Sequence, residues 1–367
     1  MAKQGINPKQ IKLYNDTAVL YLLSAEGTIS RKAIASKLGL TAAAVTKITK
    51  RLIDSGKIIE TGDFIQNSDR AGRREVLLSL NGSNKLTLGI TAELDSVTYS
   101  LCDVCGKLIN KKTYDFFDNT DLIVERAAQF LNSCTYKPEQ LIGVGVCVVG
   151  SVEKNVFGVW ENEELIAKLE NKFKLPVAAE NNVKAYALAE LIYGNVPDNS
   201  PVLFFKWGMG IGSAVAVSGE VVSDKDSTLS EIGHYIVDPS GKKCRCGRYG
   251  CLETVASAKA MNEEAGGMPF EEMVKSKDED IINLIDQKIN VVALALTNTA
   301  TILNAKRIVL FGSIFESKSI EEKLIRQCGR YIADFNSSAI AKGSLADKSS
   351  YIGAAAVSAQ RFFFGNY

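Results

Sequence analysis

Apolar residues at Ile11, Leu13, Ala18, Val19, Tyr21 and Leu22 recur at approximately helical spacing, which predicts a helix from Pro8 to Leu23 ending at Glu26-Gly27. Ser30 reads as the N-cap of a second helix through Leu38, with Gly39 as its C-terminal turn. Thr41 caps a third helix reaching Ser55-Gly56. Val45, Ile48 and Leu52 share one face of it and are expected to pack inward, leaving Ala42, Ala43, Thr46, Lys47 and Lys50 outward. Lys57 to Ile65 and Glu75 to Leu80 then read as two strands around the basic loop Asp69-Arg70-Ala71-Gly72-Arg73-Arg74. Two short helices joined by a tight turn, followed by a two-stranded wing, make a winged helix-turn-helix over residues 1–80.

Beyond a short polar linker at 81–86 the pattern changes to strands separated by helices. Strands are expected at Leu86 to Ala92, Val97 to Asp103, Lys107 to Tyr114, Ile142 to Val149 and Val177 to Glu180, and helices at Asn119 to Cys134, Glu163 to Phe173 and Val183 to Tyr193. A second round begins at Val202, with strands Leu203 to Trp207 and Ile211 to Val217. It continues through a loop region to about Asp280, a long helix to Asn304, a strand Ile308 to Phe311, and helices Ile320 to Phe335 and Ser350 to Phe363. Two mixed sheets with helices imply an α/β body of two lobes, 87–200 and 201–347, with a ligand cleft between them; the segment 348–367 is expected to return to the first lobe.

At 367 residues, 46% hydrophobic and 23% charged, the chain can bury more than one core. The net charge of +1 hides an asymmetry: residues 1 to 80 hold 13 Lys+Arg against 7 Asp+Glu, a net of +6, which leaves −5 for the remainder. A basic head on a mildly acidic body fits a nucleic-acid module joined to something else. The small residues Ala42 and Ala43 with Thr46 then admit close approach to base edges, Lys47 and Lys50 can neutralise phosphates, and Arg73 and Arg74 suit a minor groove. The competing reading is a helical bundle with a solvated charged face. No uninterrupted apolar stretch of about 18 residues is present and the N-terminus lacks the apolar core of a secretory signal, so a cytoplasmic location, away from membranes, is expected.

Eight cysteines in such a compartment are expected as thiols or metal ligands. Glu231-Ile-Gly-His234 followed by Cys244-Arg-Cys246-Gly-Arg-Tyr-Gly-Cys251-Leu-Glu253 offers one imidazole and three thiolates, enough to close a tetrahedral shell around a structural Zn²⁺, and His234 is the only histidine in the chain. Loop cysteines beside a core histidine are the alternative. Cys102-Asp-Val-Cys105 also has metal-like spacing but lies at a strand end and reads as structural, and Cys134, Cys147 and Cys328 give no functional signal.

Winged head, polar linker, two-lobed body and this metal motif together resemble the ROK family, named for repressors, open reading frames and kinases, over essentially the whole chain. The resemblance implies an actin-like ATPase fold for the body, and in its repressor branch a DNA-binding head. A Gly-Arg-Pro motif ends the wing in that branch; here Gly72-Arg73-Arg74 lacks the proline. The kinases' first phosphate loop, Asp-x-Gly-Gly-Thr, stands here as Thr91-Ala92-Glu93-Leu94-Asp95, and their Glu-Asn-Asp-Ala, which holds the catalytic base, as Glu180-Asn181-Asn182-Val183. An amide cannot accept a proton at neutral pH, so Asn182 could hold a sugar hydroxyl without activating it. Gly208-Met209-Gly210-Ile211-Gly212-Ser213 keeps glycines but puts Met209 where the kinases have a threonine, and reads as a tight strand turn. Phe311 replaces a glycine near the adenosine end and is expected to narrow that pocket, and Val146 to Gly150 departs from the family's Gly-Val-Pro-Gly-Pro floor. Asn181, Asn182, Glu231, His234 and Glu253 match sugar-facing positions.

The expectation is therefore a sugar-responsive repressor of carbohydrate-metabolism genes, not an enzyme. It is expected to bind a double-stranded operator and a sugar or sugar phosphate, as a homodimer or dimer of dimers. An active ROK kinase with a DNA-binding head and a repressor controlled by a protein partner are the rivals.

Overall fold

The computed structural model describes residues 7–65, 75–117, 119–150, 156–157, 160–196, 200–222, 231–332 and 339–365. The head holds helices α1 (Pro8–Glu26), α2 (Arg31–Leu38) and α3 (Ala42–Asp54) and strands β1 (Thr28–Ser30), β2 (Ile58–Ile65) and β3 (Glu75–Leu80). Side-chain oxygens of Ser30 and Thr41 accept from Ala33 N at 3.3 Å and Ala44 N at 3.2 Å, so both helices start on the hydroxyls that were expected to cap them. The sheet runs β1-β3-β2, all antiparallel. Strand β1 was not expected, because three residues are too few to display an alternation. The loop carrying Arg73 and Arg74 lies outside the described residues.

The linker holds a single tight turn at Gly82–Asn84, and Leu86 already belongs to β4 (Leu86–Ala92). With β5 (Ser96–Asp103), β6 (Leu108–Asp115), β7 (Leu141–Val148) and β10 (Val177–Asn181) it builds a five-stranded sheet of order β10-β7-β4-β5-β6. A two-stranded hairpin, β8 (Val156–Phe157) with β9 (Trp160–Glu161), lies apart from it. Helices α4 (Thr120–Asn132) and α5 (Asn162–Phe173) contribute Phe130, Leu165 and Leu169 to one apolar core with Leu88, Ile90 and Val144 of the sheet. The opposite face carries small residues: a Cβ on Gly145 would lie 1.9 Å from Ala354 O. That close approach lets α12 (Ile352–Ala359) lie directly on β4 and β7 and pack against α6 (Asn182–Tyr193).

The second sheet is β13-β12-β11-β14-β15, from β11 (Val202–Trp207), β12 (Ile211–Val217), β13 (Glu220–Val221), β14 (Arg307–Phe311) and β15 (Ile340–Lys342). The expected loop to Asp280 needs correction. It contains β13 and three short helices, α7 (Leu252–Ala256), α8 (Ala258–Glu264) and α9 (Phe270–Met273), each too short to show a helical period. The long helix α10 (Glu279–Leu303) ends on Asn304, as expected, whereas α11 (Lys318–Cys328) stops at Gly329, short of the expected end; Phe335 lies outside the described residues.

Helix α6 is buried almost all round. It is the hub of one apolar cluster that runs from Val19, Leu20 and Leu23 of the head through α6 and α12 to Phe204, Val309 and Phe311 of the second sheet. The chain's last turn, Gln360–Phe364, has wider π-helical spacing and meets the head. Thr17 Oγ1 donates to Phe364 O at 3.1 Å, Tyr21 stacks on Phe364 with centroids 5.0 Å apart, and Lys57 donates to Phe363 O. Ser24 Oγ donates to Ile192 O at 3.0 Å, tying α1 to the far end of α6.

Candidate functional site

Beyond the C-terminal end of β4 the chain turns through Glu93, whose N–H donates to Ser96 O at 2.8 Å. Its carboxylate reaches away from this turn. Both oxygens lie 3.0 Å from Asn182 Nδ2, and Lys206 Nζ, from β11 of the other lobe, pairs with Oε2. Glu93 thus grips the amide of Asn182, and Lys206 closes the contact from the other lobe. Lys206 was not singled out from sequence, although a lone lysine in the apolar strand Val202–Trp207 is a signal that could have found it. Thr91, where the kinases carry an aspartate, is buried opposite Cys147, and its Oγ1 has no hydrogen-bond partner among the described residues.

The glycine loop after β11 closes an antiparallel hairpin in which Trp207 faces Ile211, as the tight-turn reading expects. The space above its glycines is filled by the protein itself. A Cβ on Gly210 would come within 2.9 Å of Glu253 Oε2 and 3.4 Å of Leu94 Cδ1, and one on Gly212 within 2.8 Å of Val183 Cγ2. Ile211 N–H donates to Glu253 Oε2 at 3.1 Å, so the loop's backbone already serves a carboxylate. Arg245 Nε pairs with the other oxygen of Glu253 at 3.4 Å.

Asn181 is first a cap: its side-chain oxygen accepts from Val183 N at 2.9 Å and Lys184 N at 3.2 Å, while Nδ2 donates to Gly150 O at 2.9 Å. Among the described residues, one amide N–H of Asn181 makes no hydrogen bond. Asn182, only 9% exposed, opens α6 beside it. Phe311 differs from expectation. It is buried, with its ring stacked on Tyr186 of α6 at a centroid distance of 3.8 Å, so it packs the core between α6 and the second sheet.

The ligand atoms of His234, Cys244, Cys246 and Cys251 all lie within 4.8 Å of one another, close enough to hold a metal ion. Cys246 Sγ is 3.6 Å from Cys251 Sγ and Cys244 Sγ is 3.5 Å from His234 Nδ1. A tetrahedral ion with metal–sulfur bonds of about 2.3 Å has sulfur–sulfur edges of about 3.8 Å, so the donor set fits. Burial pushes the Cys251 thiol up to about 12 and Cys244 up as well, whereas at Cys246 burial is outweighed by hydrogen bonds from the Arg248 backbone and its neighbouring thiols, which lower it. Burial also lowers His234, keeping its imidazole in the neutral form that ligates metals. The knuckle is tight: a Cβ on Gly250 would overlap Asp238 O. His234 Nε2 points the other way, 4.0 Å from Glu231 Oε2, so the cluster and that carboxylate share one ring.

On the head, Val45, Ile48, Thr49 and Leu52 of α3 are buried, and Ala42, Ala43, Thr46, Lys47 and Lys50 are exposed. Thr46 Oγ1 donates to Ala42 O at 2.8 Å, and Thr49 accepts from Arg31 Nε at 3.0 Å. Arg51 grips Asp16 of α1 with two nitrogens, fixing the tilt of α3. Lys47 and Lys50 form no ion pair among the described residues, which leaves both charges facing outward.

The family model described as "ROK family" matches residues 88–361, and the one described as "Winged helix-turn-helix DNA-binding" matches residues 13–59. The N-acetylglucosamine repressor of Escherichia coli O6:H1 is 28% identical over 351 residues, 88% of this chain and 86% of the relative. A crystal structure of a ROK family transcriptional regulator, a homologue of the E. coli MLC protein, covers 97% of both chains with a TM-score of 0.76 and 23% identity. A ROK family glucokinase from Streptomyces griseus, in complex with glucose and AMPPNP, covers 74% of this chain and 98% of its own, with a TM-score of 0.64 and 20% identity. No helix among the described residues is long and apolar enough to cross a membrane. A three-helix head that matches the winged helix-turn-helix model, set on a two-lobed body that matches the ROK model over residues 88–361, makes this chain a member of the ROK family with a winged helix-turn-helix at its N-terminus.

Proposed function

We propose that this chain is a sugar-responsive, DNA-binding repressor of carbohydrate-metabolism genes whose body grips a sugar or sugar phosphate without phosphorylating it. One observation carries the reading: Glu93, which stands where the resemblance places a kinase phosphate-loop glycine, puts its carboxylate on Asn182 and Lys206. A triphosphate entering there would have to displace it, against like charge. Glu93 is a carboxylate near the position of the missing base, but its oxygens already accept from Asn182 and Lys206. Taking a hydroxyl proton would mean giving up that ion pair.

Asn181, Asn182, Glu231, His234 and Glu253 supply the hydroxyl contacts in this reading. His234, Cys244, Cys246 and Cys251 hold a structural Zn²⁺ that leaves no open coordination position and keeps the sugar contacts in place. The heads act in pairs on a roughly palindromic operator, in a homodimer formed through the body, with Ala42, Ala43, Thr46, Lys47, Lys50, Arg73 and Arg74 toward the duplex. The similarity to the N-acetylglucosamine repressor supports a sugar as effector.

The test is a thermal-shift panel of free and phosphorylated sugars run beside an ATP-turnover assay. The expected result is a ligand-specific rise in melting temperature with no turnover. Phosphoryl transfer to any hexose at rates on the order of 1 to 100 per second would overturn the proposal. A flat panel would point to a protein partner in place of a sugar.

A further inference from the structure

We propose that Glu93 sets the charge of the effector: the cleft takes an uncharged sugar and turns away the same sugar phosphorylated at the hydroxyl that faces Asn182. This rests on the sensor reading above and specifies its ligand. A phosphoryl group needs donors, and three that this cleft could offer are already taken by carboxylates. Lys206 pairs with Glu93, Arg245 pairs with Glu253, and the Ile211 N–H donates to Glu253. Both Glu93 oxygens stand 3.0 Å from the Asn182 amide, so a group bound there meets a carboxylate first.

Glu93 and Lys206 side chains are only 26% and 15% exposed, which limits solvent screening of that encounter. To use Lys206, a phosphate would have to strip Glu93 of its cation and leave a part-buried carboxylate unpaired. A neutral hydroxyl meets no such conflict. It can donate to Glu93 while it accepts from the Asn182 amide, and the ion pair across the lobes stays intact. The substitution that blocks the phosphate path therefore also selects the ligand that remains.

The inference is tested by isothermal titration of the full-length protein with matched pairs: glucose and its 6-phosphate, N-acetylglucosamine and its 6-phosphate, xylose and its 5-phosphate. For the pair that binds, the free sugar is expected to bind at least about tenfold more tightly than its phosphate. Glu93→Gln keeps the shape and removes the charge, and should move that ratio at least about tenfold toward the phosphate. Adding Lys206→Met should cancel the gain. Should Glu93→Gln fail to fold, the wild-type ratio against salt carries the test, because screening shrinks a preference that arises from charge repulsion. A wild-type preference for the phosphate, or a ratio that neither the substitution nor salt moves, overturns this inference and leaves the sensor reading standing. Failure of every pair to bind removes both.

Discussion

Among single residues, the strongest constraints outside the cleft gather on Glu190. It is 1% exposed and accepts from Tyr186 Oη at 2.6 Å, Ser344 Oγ at 2.7 Å and Leu345 N at 2.7 Å, joining α6 to the loop after β15. Glu190→Ala would leave two buried donors, Tyr186 Oη and Leu345 N, without an acceptor, and we expect it to cost about 3 kcal/mol in urea denaturation. Glu190→Gln keeps the shape and one acceptor, and should cost less than half as much. Equal losses in the two variants would mean that volume, not hydrogen bonding, matters there. Nothing in the spacing of Tyr186, Glu190 and Ser344 announced this cluster. It needs a helix and a loop about 150 residues apart to meet, and one sequence carries no pairing information across that gap.

At the level of elements, α3 and α6 show two different uses of a helix. Helix α3 is amphipathic, and the inward set Val45, Ile48 and Leu52 was legible because a half-buried helix writes its period into the chain. Its exposed lysines yield a prediction. Lys47→Ala or Lys50→Ala should weaken operator binding and reduce the slope of log K against log salt by about 1 each, measured by fluorescence anisotropy from low to moderate salt. An unchanged slope would remove that lysine from the interface. Helix α6 shows no such period, because it is covered on every side. Its span was still expected as Val183 to Tyr193, within a residue of Asn182–Tyr193, but not its cap on Asn181 or its place between two sheets. The short helices α7, α8 and α9 escaped for the opposite reason: four to seven residues complete too few turns to mark a face.

Taken as one molecule, the protein links cleft and head through α6. Its first residues, Asn182 and Val183, touch Glu93 and the glycine loop, and near its other end Ile192 O accepts from Ser24 of α1. The C-terminal turn adds the Tyr21–Phe364 stack and the Thr17 bond to Phe364 O. Head and body should therefore unfold together in calorimetry. Tyr21→Ala removes the stack, about 0.5–1.5 kcal/mol beyond its buried area, and should separate an earlier melting transition of the head. It should also weaken any effect of ligand on operator affinity. A single unchanged transition together with unchanged ligand coupling would show that the head is held elsewhere.

The amino-acid sequence alone determined the elements with regular periods, the caps on Ser30 and Thr41 and the Cys/His cluster, because each is written in local spacing or residue type. The tertiary structure decided what the replacements do. Glu93 could be seen as a charge where phosphate belongs, but only the fold brings it to Asn182 and Lys206, from two further elements. Phe311 could be seen as bulk in place of glycine, yet the fold turns its ring into the core against Tyr186. Contacts between distant segments depend on how sheets and helices stack, and in this chain those contacts decide which side chains meet at the candidate site.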